Sequence, residues 1–192
     1  MSLEVHPLTP GRWHDLAVLF DRPGDARGCW CMWWRVRASE FDRLWGQDAR
    51  NAFHKVVEAG PPPGLLAYRD ARPVGWCAVA PREAYPRILR SRVVGPVDDL
   101  PACWAVVCFY VERGERRGGV AAALLDAAVE LAAAGGAEAV EGYPKDTVGG
   151  RRYANELFVG SASMFRRAGF EEVGRRSPTR PIMRRGVRGA HA

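Results

Sequence analysis

Lysine is nearly absent from this chain: only Lys55 and Lys145 stand among 28 basic residues in a total of 192. Arginine is therefore the general-purpose cation, and arginines alone say little about nucleic acid. Residues 175 to 192 hold six arginines and no acid, while the preceding 174 balance at 22 basic and 22 acidic side chains. With Pro178, Pro181 and Ile182-Met183 among them, these arginines are expected to flank a final edge strand, and nucleic acid is not the expected partner. No apolar run approaches the roughly 20 residues of a membrane span. The N-terminal MSLEVHPLTP has neither the basic nor the apolar region of a secretory signal. Five cysteines, an odd number in a chain this long, do not suit a disulfide framework. A cytoplasmic protein outside the membrane is expected. No repeat or linker stands out, so residues 1–192 are read as one domain.

Two nucleotide motifs are also missing. There is no GxxxxGK[ST], and Gly114, Gly118 and Gly119 do not make GxGxxG. What stands there instead is CWAVVCFYVERGERRGGVAAALLDAAVEL, from Cys103 to Leu131. Its first nine residues are apolar, β-branched or aromatic, as in a strand buried on both faces. Glu112 to Gly118 is charged and glycine-rich, so the chain must surface and turn. From Gly119 onward, Val120, Ala121, Leu124, Leu125, Ala128 and Leu131 recur at helical spacing. The first turn of that helix has amides without intrahelical partners at the positive end of the helix dipole. Glycines let a ligand approach those amides, and Arg116 and Arg117 add charge. The turn thus reads as a seat for a pyrophosphate.

Arg116-Arg117-Gly118-Gly119-Val120-Ala121 resembles the [QR]xxGx[GA] motif of the GCN5-related N-acetyltransferases (GNAT). MFRRAGFEEVGR, Met164 to Arg175, is similar to the second signature of that family, a short helix leading through Gly-Phe into a strand. The resemblance implies an α/β (α+β) fold with a mixed central sheet of about six to seven strands, a splayed parallel pair and flanking helices. It implies acetyl-CoA as cosubstrate and direct acetyl transfer to the primary amine of a small molecule or peptide. By the same resemblance, Phe109 and Val111 offer backbone groups to pantetheine, and Arg116 to Ala121 (Arg116, Arg117, Gly118, Gly119, Val120, Ala121) hold the pyrophosphate. A non-catalytic acyl-CoA sensor is the other reading, and a homodimer is compatible with either. The catalytic positions depart from the family. Its glutamate base falls on Ala105 and its tyrosine acid on Phe165. Glu141 or a bound water is the candidate base, and Tyr143, Ser161 or solvent the candidate acid.

The remaining elements follow in order. Leu3 to Leu8 alternates as a strand, Thr9 caps a helix begun by Pro10, and Ser39 to Asp42 reads as a capping box opening one long helix to Gly60. Phe41, Leu44, Trp45, Ala52, Phe53 and Val56 would share its inner face. Between these helices, CWCMWWR (Cys29 to Arg35) is read either as core or, with Trp30 and Trp33, as part of an acceptor site. Its C-x-C lacks a second ligand pair, so no metal is expected. Arg69 to Arg72 joins two strands, Gly64 to Tyr68 and Pro73 to Ala80, as a hairpin. Pro81 to Ala102 is long enough to be functional and could cover the acceptor, where Asp98 and Asp99 would suit a cationic amine. Glu138 to Tyr143 should run parallel to the central strand, and Tyr143 to Gly160 should be irregular. A short helix from Ser161 to Ala168 and strands at Phe170 to Val173 and Arg180 to Val187 complete the chain.

Overall fold

A computed structural model describes residues 2–21, 26–146 and 158–187. The part of the expected irregular segment that contains Gly149-Gly150 lies outside the described residues. Seven strands form one sheet: β1 (Leu3–Pro7), β2 (Gly64–Arg69), β3 (Arg72–Pro81), β4 (Cys103–Val111), β5 (Ala139–Gly142), β6 (Glu171–Arg175) and β7 (Pro181–Gly186). Their order is β1-β2-β3-β4-β5-β7-β6. Every pairing is antiparallel except β4 with β5. The helices are α1 (Trp13–Phe20), α2 (Ala26–Cys29), α3 (Ala38–Phe41), α4 (Gln47–Ala59), α5 (Pro86–Leu89), α6 (Val120–Ala134) and α7 (Ala162–Arg167).

The two faces of the sheet carry separate cores. One buries α1, the segment around Trp30, α4, and the β3–β4 connection through Tyr85, Ile88 and Val94. The other buries Val120, Leu124, Leu125 and Ala128 of α6, with Phe165 and Phe170 from the second signature. The parallel pairing required of β4 and β5 is supplied by α6, which crosses back over the sheet.

Three expectations need correction. The helix expected from Ser39 is two helices. It starts at Ala38, with the Glu40 carboxylate accepting from the Arg37 amide at 2.8 Å, and the chain breaks at Gly46, whose φ is +58°. There the Gly46 amide donates to the Gly28 carbonyl, and Trp45 turns outward instead of joining the inner face. Second, the Pro81–Ala102 connection is not a bare loop, because α5 and its flanking turns pack into the core. Third, β7 is no edge strand: it lies between β5 and β6. The arginines around it are engaged within the protein. Arg175 meets Glu172 and Asp146, Arg176 the Gly95 and Pro96 carbonyls, Arg180 the Tyr143 carbonyl, and Arg185 the Ala168 carbonyl. No helix among the described residues is long and apolar enough to cross a membrane.

Candidate active site

β4 and β5 part early. Their register covers only Cys103↔Ala139 to Val106↔Gly142, while β4 runs on to Val111. At the same level the β3–β4 register slips between Ala78 and Val79, leaving Val107 as the extra residue on β4. The bulge turns Cys108 and Tyr110 onto the α1/α4 face, with Phe109 and Val111 on the α6 face. Glu112 donates its amide to the Val74 carbonyl on the β3 side. Strand alternation therefore aims the backbone of Phe109 and Val111 at the edge that β5 has left. Neither edge is wholly free: the Phe109 amide donates to the Phe158 carbonyl, and the Val111 carbonyl accepts from Arg116 Nε at 3.1 Å.

The turn after β4 leaves the first amides of α6 accessible. Arg117 and Gly119 both take positive φ, +66° and +81°, which reverses the chain into α6. The first intrahelical bond runs from the Ala123 amide to the Gly119 carbonyl, so the amides before it are those of a first turn. A Cβ placed on Gly119 would meet nothing within 4 Å, so the approach to these amides is open. The acids of the turn are tied down by the β2–β3 hairpin: Glu115 pairs with Arg69 at 2.8 Å and Arg72 at 2.6 Å, and Glu112 pairs with Arg72. Arg113, Arg116 and Arg117, all exposed, surround the turn with positive charge.

The candidate acid–base residues are arranged differently from expectation. Ala80, Ala105, Glu141 and Arg184 form one row across four strands. Glu141 thus lies one strand over from Ala105, the position of the family glutamate. It is 0 % exposed, and both oxygens are occupied. Oε1 accepts from Arg184 Nη2 at 2.7 Å and Nε at 3.1 Å. Oε2 accepts from Tyr143 OH at 2.9 Å and Arg82 Nη1 at 3.4 Å. Tyr143 is buried too, and burial followed by the Glu141 charge pushes its phenol well above the ordinary value. Among the three candidates only Ser161 is partly exposed. It caps α7, accepting from the Met164 amide at 3.3 Å, and lies 3.1 Å from Ser163 Oγ. Phe165 is fully buried against Phe109 and Phe170.

On the acceptor side, Trp30 is 2 % exposed and packed between Trp13 and Phe20 with Arg50 over its ring, so it belongs to the core. Trp33 is 41 % exposed, with the Arg87 guanidinium 3.8 Å from its ring centroid. Asp98 is paired through both oxygens with Arg184 at 2.7 and 2.8 Å, and those hydrogen bonds hold its carboxyl below the usual range. It is not free to receive a cationic amine. Asp99 is exposed beside it. All five cysteines are free, and among the described residues no group of three or more His, Cys, Asp or Glu could hold a metal. Arg82, Arg184, Arg35 and Tyr85 were not singled out by sequence. Only Arg184 had a signal, two residues after core-facing Ile182 on a strand.

These features define a class: a mixed-sheet domain with a parallel pair that splays beside a helix N-terminus open to an anion. The model of the acetyltransferase (GNAT) family matches residues 30–157, and the chain belongs to that family. An N-acetyltransferase from Staphylococcus aureus Mu50 is 10 % identical, aligned over 98 % of this chain and 100 % of its own, with a TM-score of 0.57. An acetyltransferase of the GNAT family from Streptococcus pneumoniae is 15 % identical over 97 % and 100 %, with a TM-score of 0.56. The PaiA N-acetyltransferase of Thermoplasma acidophilum, solved in complex with coenzyme A, is 13 % identical over 97 % and 99 %, with a TM-score of 0.54. No curated protein matches the sequence.

Proposed function

We propose that this protein is an acetyl-CoA-dependent N-acetyltransferase that passes the acetyl group directly to a primary amine. The observation that carries the reading is the α6 first turn, open at Gly119 and ringed by arginines, beside the edge that β5 leaves on β4. The amides of Arg117 to Ala121 would hold the pyrophosphate, with Arg116 and Arg117 supplying charge. Pantetheine would lie along Phe109 and Val111, replacing the Phe158 carbonyl at the Phe109 amide. The amine nitrogen then attacks the thioester carbonyl and the C–S bond breaks. Positioning supplies much of the rate. With the Glu141 oxygens occupied, a water takes the amine proton; the departing thiolate is protonated by solvent or by Ser161.

Gly119→Glu tests the pyrophosphate seat. It places an anion where the phosphates belong, and calorimetry should show acetyl-CoA affinity falling more than tenfold, about 1.4 kcal/mol. Gly119→Asn tolerates the left-handed backbone and separates strain from repulsion. Unchanged affinity in Gly119→Glu refutes the assignment. One observation favours a second reading, an acyl-CoA sensor without turnover: Ala105 and Phe165 are apolar, while Glu141 and Tyr143 are sequestered. Release of free CoA thiol with any amine decides for the enzyme.

A further inference from the structure

Among the described residues, the acceptor face holds cations without matching anions. Arg35 follows the tryptophan-rich segment and is partly buried, yet no carboxylate among the described residues lies within 4.0 Å of it. Its Nε is buried without a hydrogen-bond partner. Its Nη2 makes only long contacts, 3.4 Å to Tyr85 OH and 3.5 Å to the Pro63 carbonyl. The guanidinium otherwise rests on aromatic rings, 4.9 Å from the Tyr85 centroid and 5.8 Å from that of Phe53. Removing a guanidinium from water without an opposite charge is costly, and rings compensate only in part.

Arg35 also lies near the place where β4 splays. Its charge acts on Cys31, whose thiol accepts from Trp76 Nε1 at 3.0 Å and which shares the α1/α4 core with Cys108. Cys108 follows the bulge at Val107 and precedes Phe109. Three more arginines gather just outside. Arg37, Arg87 and Arg90 line a recess of about 270 Å³ with Ala38 and Pro86. The Arg87 Nε bond to the Val36 carbonyl, 3.1 Å, ties this recess to the Arg35 segment. None of the three has a carboxylate within 4.0 Å among the described residues; of the nearby acids, Glu40 accepts from the Arg37 amide and Asp42 acts on Arg87 from farther away. A planar guanidinium suits a carboxylate or phosphate oxygen pair.

We propose that the acceptor is an anionic amine, a primary amine that also carries a carboxylate or phosphorus oxyanion, which Arg35 receives with Arg87 at the rim. This rests on the N-acetyltransferase reading and reverses the cationic acceptor that Asp98 and Asp99 suggest. The oxyanion supplies the counter-charge that no described residue provides within 4.0 Å.

The test offers matched amines with acetyl-CoA and follows thiol release. The panel pairs amino acids with their amides, and 4-aminobutyrate and 3-aminopropylphosphonate with n-butylamine and 1,4-diaminobutane. Oxyanion-bearing members should exceed their partners without an oxyanion at least tenfold in kcat/KM. Arg35→Gln should abolish that advantage through KM while keeping acetyl-CoA affinity by calorimetry. Arg87→Gln, at a half-buried position outside the two cores, should reduce it and guards against an Arg35 variant that fails to fold. Three results overturn the proposal: alkylamines or diamines used as well or better, no oxyanion member used by protein that binds acetyl-CoA, or an advantage undiminished in both variants. Failure of acetyl-CoA to bind refutes the N-acetyltransferase reading separately. The anion site is then judged by thermal stabilisation with 3-aminopropylphosphonate at fixed ionic strength, and stabilisation that is absent, or equal in Arg35→Gln, overturns it.

Discussion

Replacing Glu141 with leucine should unfold the protein more readily without touching the chemistry. The carboxylate holds Arg184 and Arg82 together with the Tyr143 phenol. Arg184 would keep its two bonds to Asp98 at the surface. Arg82, only 5 % exposed, would keep only its 3.0 Å bond to the Leu100 carbonyl. Breaking a buried pair from one side costs about 3–5 kcal/mol, because a charge is left uncompensated. With Arg184 still paired, the lower part of that range applies, about 3–4 kcal/mol. For a chain of this size 1 kcal/mol moves Tm by about 2–4 °C, so Tm should fall by roughly 6–16 °C. Glu141→Gln keeps an acceptor oxygen and should lose less. Arg82→Met combined with Glu141→Leu removes both charges and should recover most of the loss. Urea and thermal denaturation measure the stability, and acetyl-CoA turnover with an accepted amine, normalised to folded protein, measures the chemistry. Turnover per folded molecule should stay within about threefold of wild type, far from the 10²–10⁴-fold that a general base contributes. A Glu141→Gln protein with wild-type Tm and kcat reduced a hundredfold would refute the structural role and make Glu141 the base.

Arg117 occupies a left-handed backbone at φ +66°, so Arg117→Gly should relieve about 1–2 kcal/mol of steric cost, offset in part by chain entropy, and raise Tm slightly. The same change removes a cation from the turn, so acetyl-CoA affinity should fall, most clearly at low salt; a lowered Tm would contradict it. Phe165→Tyr pushes a hydroxyl into the packing around Gly142 and Phe170, so it should destabilise by about 1–3 kcal/mol in denaturation with no gain in kcat. Stability should also fall in alkali. Burial pushes the Tyr85 and Tyr143 phenols above their ordinary value and the Cys103 thiol up to about 12. The unfolded chain then holds fewer protons than the native one above about pH 9, and stability should decline from there, more steeply past pH 10. A melting temperature that is flat from pH 8 to 11 would contradict this.

Hydrophobic periodicity and the glycine-arginine turn were enough to mark β4, α6 and the turn between them, because each is a property of consecutive residues. Cys103–Val111 and the helix from Val120 fall where the pattern puts them, and the Asp70-Ala71 turn, with both φ values positive, closes the expected hairpin. The bulge at Val107 had no such mark, since it exists only in the register of β4 against β3. Nor could sequence tell a free carboxylate from a buried one. Glu141, Arg82, Arg184 and Asp98 are far apart in the chain and meet through the row of β4, β5 and β7. The same holds for Arg35, beside which the fold brings Tyr85, just before α5, and Pro63, just before β2, but no carboxylate among the described residues. Local pattern determined most of the elements and the turn into α6. Which charges are cancelled and which are not was decided only by tertiary packing, because an ion pair is a relation across space and the hydrophobic pattern carries no record of it.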